Sequence, residues 1–322
     1  MKQYISVDIG GTKCAVSLWR DSNSANPPDM LKKNRFATLP TPEATIALLV
    51  SHAKELAEGQ QIDAVGISCG GPLNSKKGLL LCPPNLPGWI DIDIVTPFRE
   101  AIGAPAFLQN DANACALAEW LWGAAKGCQN VVFLTFGTGM GGGLILDGKL
   151  YCGTSDMGGE VGHMRVADDG PVGFGKRGSF EGFCSGGGMA RLAGERMPDW
   201  LRAGKTTVLK DTEITAKSIS EAADSGDAFA LSVIQECGEK LGLGISNIID
   251  IINPEIVVIG SIYGREPRFA PIVEQVVARE AIPFSWEVCR IVCAGLGESV
   301  GDFAAVAAAK YGQEQAKSAV HS

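Results

Sequence analysis

The sequence predicts an α/β fold, and three observations carry that prediction. Strand-like and helix-like segments alternate along the chain instead of falling into separate blocks. Two segments, Ile5 to Leu18 and Val131 to Gly148, repeat one pattern: an apolar strand, a turn of glycine and threonine, and a second apolar strand. The composition, 46% hydrophobic and 20% charged over 322 residues, is that of a globular chain with room for two domains.

Taken in order, Ile5-Ser6-Val7-Asp8-Ile9 reads as a strand, Gly10-Gly11-Thr12 as a tight turn and Cys14 to Leu18 as the returning strand. Arg20 to Lys33, with Asn26-Pro27-Pro28-Asp29, reads as a polar loop. Thr41-Pro42-Glu43 opens a helix that runs to about Glu58, because a capping hydroxyl followed by proline at the first helical position suits a helix start. Ala64 to Ser68 is a strand, and Gly70-Gly71-Pro72-Leu73-Asn74 a loop after it. Ala106-Phe107-Leu108 leads through Asn110-Asp111 into a helix from Asn113 to Trp122. The second strand–turn–strand unit closes on an Asp147-Gly148 turn. Asp227 to Ile252 predicts one or two long helices, whose Gly238, Gly242 and Gly244 lower helix propensity and point to close packing. Glu255 to Gly260 is a strand, Pro271 to Glu280 a helix, Val288 to Ala294 a strand and Gly301 to Tyr311 a helix. The repeated unit suggests a duplicated architecture, with one phosphate-cradling hairpin per domain.

Composition excludes several classes of partner. The formal charge is −8 and no Lys/Arg-rich run is present, which predicts no nucleic acid and no anionic membrane surface. The strand pattern begins at Tyr4, so no secretory signal and no preceding DNA-reading domain are expected. No apolar run approaches the roughly eighteen residues of a membrane span. Ten cysteines are scattered singly without a CxxC pair, which predicts reduced thiols packed as small apolar groups in the cytoplasm.

Phosphate binding needs backbone N–H donors at close range, which glycine permits, and threonine adds a hydroxyl. Gly10-Gly11-Thr12-Lys13 and Gly137-Thr138-Gly139 suit that task; one such turn alone would more often be an ordinary hairpin, and two are harder to dismiss. Gly137, Gly139 and Gly142 also fit a dinucleotide-binding G-x-G-x-x-G. That fingerprint needs a helix next, whereas Leu144-Ile145-Leu146 reads as strand. No stretch matches the Walker motif. Gly66-Ile67-Ser68-Cys69-Gly70 fits a serine-hydrolase elbow, yet a loop follows it instead of a helix, and only three histidines are available as base.

Asp111, at the start of a helix, has an ordinary reading as a cap. Phosphoryl transfer from ATP gives it another. The reaction needs Mg²⁺, phosphate donors, an aligned acceptor and a carboxylate to take the hydroxyl proton, and a helix N-terminus favours the ionised form. Gly158-Gly159-Glu160-Val161-Gly162-His163 and Gly178-Ser179-Phe180-Glu181 place carboxylates and an imidazole between glycines, matching the donor and acceptor pattern of a sugar. Solvated glutamates and a packed histidine are the bland alternative.

At these residues the chain resembles the ROK family of repressors, open reading frames and kinases, from Asp8 to about Gly312. The motifs that carry the likeness are Asp8-Ile9-Gly10-Gly11-Thr12-Lys13, Asn110-Asp111-Ala112-Asn113, the Gly137 to Gly143 turn, Gly159-Glu160-Val161-Gly162-His163 and Ile256-Val257-Val258-Ile259-Gly260. The resemblance implies an actin-like (RNase H-like) two-domain fold with the active site in the interdomain cleft. Residues 1–112 would form a small α/β domain joined by a C-terminal helix over 301–322, and residues 113–300 a large one. It implies an ATP-dependent sugar kinase with Asp111 as catalytic base and sugar contacts from Asn110, Glu160, His163 and Glu181. Phosphate contacts would come from Gly10, Gly11, Thr12, Lys13, Gly137, Thr138 and Gly139. Asp8 would lie near Mg²⁺ and Gly260 near the adenosine. Glucose, phosphorylated at its 6-hydroxyl, is the favoured substrate, with N-acetylmannosamine or fructose as alternatives within the family. A non-catalytic sugar-binding regulator is the alternative of another class. A homodimer is also implied.

Zinc-binding members carry C-x-C-G-x-x-G-C-x-E after the G-H motif. Here the three cysteine positions hold Val172, Phe174 and Ser179, while Glu181 is kept. No zinc site is therefore expected, and Phe174 and Phe180 are expected to pack as an apolar substitute for the metal.

Overall fold

The computed structural model describes residues 1–22, 26–137 and 139–320. The first third of the chain forms β1 (Lys2–Ile9), β2 (Lys13–Asp21), β3 (Asp29–Ala37), α1 (Pro42–Ala57) and β4 (Ala64–Cys69). A small sheet of β5 (Leu73–Asn74), β6 (Leu79–Leu80) and β7 (Ile92–Asp93) follows, then α2 (Val95–Ile102), β8 (Ala106–Asn110) and α3 (Asp111–Trp122). Next come β9 (Val131–Phe136), β10 (Met140–Leu146), β11 (Lys149–Tyr151), the short hairpin of β12 (Val172–Gly173) and β13 (Lys176–Arg177), α4 (Phe180–Cys184) and α5 (Gly186–Arg202). The last part carries α6 (Ala216–Asp224), α7 (Ala228–Ile252), β14 (Ile256–Ile259), α8 (Ser261–Arg265), α9 (Phe269–Glu280), α10 (Pro283–Trp286), β15 (Arg290–Cys293) and α11 (Val300–Val320).

The two five-stranded sheets have the same order. One runs β3-β2-β1-β4-β8 and the other β11-β10-β9-β14-β15. In the first, β1 pairs antiparallel with β2 and parallel with β4, and β4 pairs parallel with β8; in the second, β9, β14 and β15 are parallel neighbours. β9 thus takes the place of β1, and the duplication expected from the two strand–turn–strand segments is present in the topology.

The chain folds as two compact units. One comprises residues 1–129, 143–159 and 295–322; the other comprises 130–142 and 160–294. In the first, Ile5, Val7 and Ile9 of β1 join Leu49, Ala53 and Leu56 of α1 and Phe98 of α2 in one buried cluster. α11 covers the opposite face of that sheet so closely that a Cβ on Gly66 would lie 1.8 Å from the Ala305 carbonyl oxygen. That approach explains the first glycine of the G-x-S-x-G match. Ser68 is a buried strand residue with no helix after it, so the elbow geometry is absent. In the second unit α7 is one unbroken helix capped by Asp227. A Cβ on Gly242 would meet Val276 Cβ at 2.6 Å and one on Gly244 would meet Phe180 Cζ at 2.4 Å, the close packing those glycines predict.

One expected element differs. Arg20 to Lys33 is not a loop throughout, since β2 extends to Asp21 and β3 begins at Asp29. β3 is an edge strand, and Lys32, Lys33, Asn34 and Arg35 give it the polar composition that edges tolerate, which hid its ladder with β2. Among the described residues no helix is long and apolar enough to cross a membrane.

Candidate active site

In the first unit, the C-terminal end of β1 and the start of α3 gather Asp8, Gly10 to Lys13, Asn110 and Asp111. Asn110 is the helix cap: its Oδ1 accepts from Ala112 N at 3.0 Å and Asn113 N at 3.3 Å. The cap role therefore falls to Asn110, and Asp111 is the first helical residue. Its Oδ1 accepts from Ala112 N at 2.8 Å, and its side chain is solvent-accessible. Surrounding protein nevertheless desolvates the carboxylate and raises its pKa against those backbone hydrogen bonds. Asp8 is exposed too, yet crowding by protein and then the charge of Asp111 push it up to about 6, with Lys33 and Arg35 opposing. Two accessible carboxylates close enough to repel one another form a hard-oxygen donor set of the kind that suits Mg²⁺, which usually takes one or two protein carboxylates together with phosphate oxygens.

The adjoining turn is tight because Gly10 N donates to Lys13 O at 3.1 Å. A Cβ on Gly11 would lie 2.3 Å from the Asn85 carbonyl oxygen, so only glycine fits there. Thr12 and Lys13 are exposed. Gly70 and Gly71 run beside the same cluster: a Cβ on Gly71 would be 3.4 Å from Asn110 Nδ2, and one on Gly70 would be 3.9 Å from Asp111 Oδ2. Asp156 pins this loop by accepting from Ser75 N at 2.9 Å and Ser75 Oγ at 2.7 Å. No sequence motif marks that pair.

The second unit carries Gly137, Gly139, Glu160, His163, Glu181 and Gly260. Gly137 N donates to Gly139 O at 2.9 Å, and Gly186 N donates to Gly137 O at 3.0 Å. Thr138 lies outside the described residues. Gly260 follows β14 and donates to Leu134 O at 2.8 Å. Glu160 and His163 are exposed at either end of a one-turn helix, Val161–His163. Glu181 lies in the first turn of α4 with Oε2 accepting from Met140 N at 3.0 Å.

The segment before Glu181 corrects one expectation. Phe180 is fully buried as expected, against Gly244, but Phe174 is 70% exposed and does not fill a core. It sits at the tip of the β12–β13 hairpin, whose two-residue turn turns the ring outward, and its ring meets the His163 imidazole edge-on at 5.7 Å. Ser179 caps α4, its Oγ accepting from Gly182 N at 3.1 Å. Val172 and Phe174 carry no donor atom for a metal, so this stretch does not fit zinc. Among the described residues no group of three or more His, Cys, Asp and Glu side chains is placed to hold a metal ion.

A cavity of about 510 Å³ in the second unit opens beside Gly137 and is lined by Phe136, Gly186, Lys217, Ser220 and Glu266. Burial works against ionisation of Glu266, but hydrogen bonds from Arg268 and Ser220 hold its carboxyl below the usual range. Ser220 Oγ donates to Glu266 Oε2 at 2.6 Å. These lining residues come from β9, α5, α6 and the loop after α8, segments far apart in the chain, so they form no local motif that sequence reading could find. A second cavity of about 300 Å³, beside Trp200 and Phe229, holds none of the sequence-predicted residues.

Comparison with known proteins gives the same assignment from three sides. The family model described as "ROK family" matches residues 4–311. A glucokinase of Thermotoga maritima is 33% identical over 281 residues, covering 85% of this chain and 87% of its own length. The structure of a ROK family glucokinase from Streptomyces griseus in complex with glucose and AMPPNP superposes with a TM-score of 0.75 at 29% identity, covering 96% and 99% of the two chains. A ROK family transcriptional regulator homologous to the E. coli MLC protein shares the fold, with a TM-score of 0.82 at 24% identity, covering 97% of this chain and 79% of the regulator. The chain belongs to the ROK family, and within it to the sugar kinases, with their actin-like α/β fold.

Proposed function

We propose that this kinase transfers the γ-phosphate of ATP to the 6-hydroxyl of glucose. The observation that carries the reading is Asp111: an accessible carboxylate in the first turn of α3, beside a second accessible carboxylate and a glycine turn that leaves its exposed residues open to phosphate. In the proposed step Asp111 takes the proton from the sugar hydroxyl as the O6–P bond forms and the bond from the γ-phosphorus to the β,γ-bridging oxygen breaks, releasing ADP. Asp8 would hold Mg²⁺ through its waters; the ion would neutralise phosphate charge. Asn110, Glu160, His163 and Glu181 are the proposed sugar contacts. The two glycine turns, with Thr12, Lys13 and Thr138, are the proposed phosphate contacts, and the cavity beside Gly137, with Gly260, is the proposed adenosine site. The preference for glucose is supported by the Thermotoga maritima glucokinase and by the glucose complex of the Streptomyces griseus protein.

We further propose a zinc-free, cytoplasmic homodimer; metal analysis and light scattering test its composition. The function itself is tested by coupled ADP release over a panel of hexoses and N-acetylhexosamines. Glucose should give the highest kcat/KM. A higher value for N-acetylmannosamine or fructose would replace the substrate, and sugar binding without ADP release would make the chain a sugar-binding regulator.

A further inference from the structure

We propose that Phe174 and Lys176 are positioning residues for sugar binding, acting through His163; the inference rests on reading His163 as a sugar contact. Phe174 combines two features that a hairpin has no structural use for. Its φ is +44°, in the left-handed region that bulky residues avoid, and it shares a two-residue turn with Gly175 at φ +76°. Such turns favour Asn, Asp or Gly at both central positions. Its ring is also 70% exposed. A residue that is both strained and apolar at the surface points to a role outside folding.

The hairpin supplies that role by holding His163 at both ends. The Phe174 ring lies edge-on to the imidazole, with centroids 5.7 Å apart and planes at 80°. On the return strand, Lys176 Nζ donates to the His163 carbonyl oxygen at 2.6 Å. The hairpin base is itself fixed. Gly178 N donates to Pro171 O at 3.2 Å, Ser179 Oγ donates to Gly173 O at 3.4 Å, and the Arg165 guanidinium donates to the carbonyls of Asp168 at 3.3 Å and Arg177 at 3.0 Å. His163 closes a single helical turn and is exposed; Lys176 fixes its backbone and Phe174 packs edge-on against its ring. A fixed ring presents its nitrogen to one sugar hydroxyl without an ordering cost at binding.

Calorimetric binding of glucose, paired with melting temperature, tests this on the full chain. Phe174→Gly relieves the backbone strain while removing the ring. It should weaken glucose binding by about five- to tenfold while leaving Tm unchanged or higher. Phe174→Tyr and Lys176→Arg should bind like the parent, and Lys176→Met should lose affinity as Phe174→Gly does. In a His163→Ala background Phe174→Gly should have no further effect. Binding within about twofold of the parent in Phe174→Gly would overturn the inference, as would a fall in Tm that tracks the loss of affinity, since that is the mark of a merely structural role. Full glucose affinity in His163→Ala would instead remove the reading on which it rests, and an unmodified protein that binds no glucose would remove the proposed substrate.

Discussion

Glu181 Oε2 accepts a hydrogen bond from the backbone N–H of Met140 at 3.0 Å, and a Cβ on Gly139 would lie 3.0 Å from the same oxygen. One carboxylate thus joins α4, read as sugar-binding, to the glycine turn read as the phosphate cradle. Glu181→Ala should raise the KM for glucose and for ATP together, because it frees the turn as well as removing a sugar contact. Glu181→Gln keeps an acceptor for Met140 N and should raise the glucose KM alone. Steady-state kinetics with both substrates varied would decide, and an unchanged ATP KM in the alanine variant would separate the two roles.

Asp111→Asn should lower kcat by about 10²- to 10⁴-fold while sparing glucose affinity, since the amide keeps a hydrogen bond but takes no proton. Burial raises the Asp111 pKa, so the active, ionised form is lost at a higher pH than for an ordinary aspartate, near 4. The kcat/KM profile, which reports the free enzyme, should therefore fall on its acidic side at a higher pH than an ordinary aspartate would give. A decrease of less than about tenfold in the asparagine variant would return Asp111 to a purely structural place in the helix start.

A zinc-selective chelator, with Mg²⁺ in excess, should neither inactivate nor unfold the protein. Val172 and Phe174 offer no ligand, and Ser179 Oγ is engaged with Gly182 N and Gly173 O. Loss of activity on chelation, together with about one zinc per chain by elemental analysis, would require ligands outside this stretch.

Much of this arrangement could be read from the chain because local chemistry is dense at the turns. The Thr41-Pro42 helix start, the Asn110-Asp111 helix start and the two glycine hairpins each follow from a few adjacent residues. β3 was not legible, since an edge strand of lysine, asparagine and arginine looks like a loop until its partner is known. Phe174 is a related case. Hydrophobicity argues for burial, and only the left-handed turn with Gly175 reveals that the ring is carried outward to His163. The Ser75–Asp156 and Ser220–Glu266 pairs join distant segments and leave no trace in spacing.

Asp8 should limit stability when no metal is bound. Its pKa is pushed up to about 6, first by the surrounding protein and then by Asp111, against an unfolded value near 4. Folding therefore disfavours the ionised form. The resulting penalty is absent below pH 4, grows as pH rises from 4 to 6, and is complete above 6. The gap of about two pKa units would be worth about 3 kcal/mol for a fully buried group; exposure and solvent screening reduce it to roughly 1 kcal/mol here. Asp8→Asn should accordingly raise the Tm of the metal-free protein at pH 8, leave it unchanged at pH 4, and impair turnover at both saturating substrates. Adding Mg²⁺ with ATP should narrow the stability difference, since bound cation relieves the repulsion in the parent alone. Thermal unfolding of both proteins across this range is the measurement. Equal Tm values at pH 8 would mean that neither the desolvation of Asp8 nor its repulsion from Asp111 costs the folded protein anything that a bound metal ion could remove.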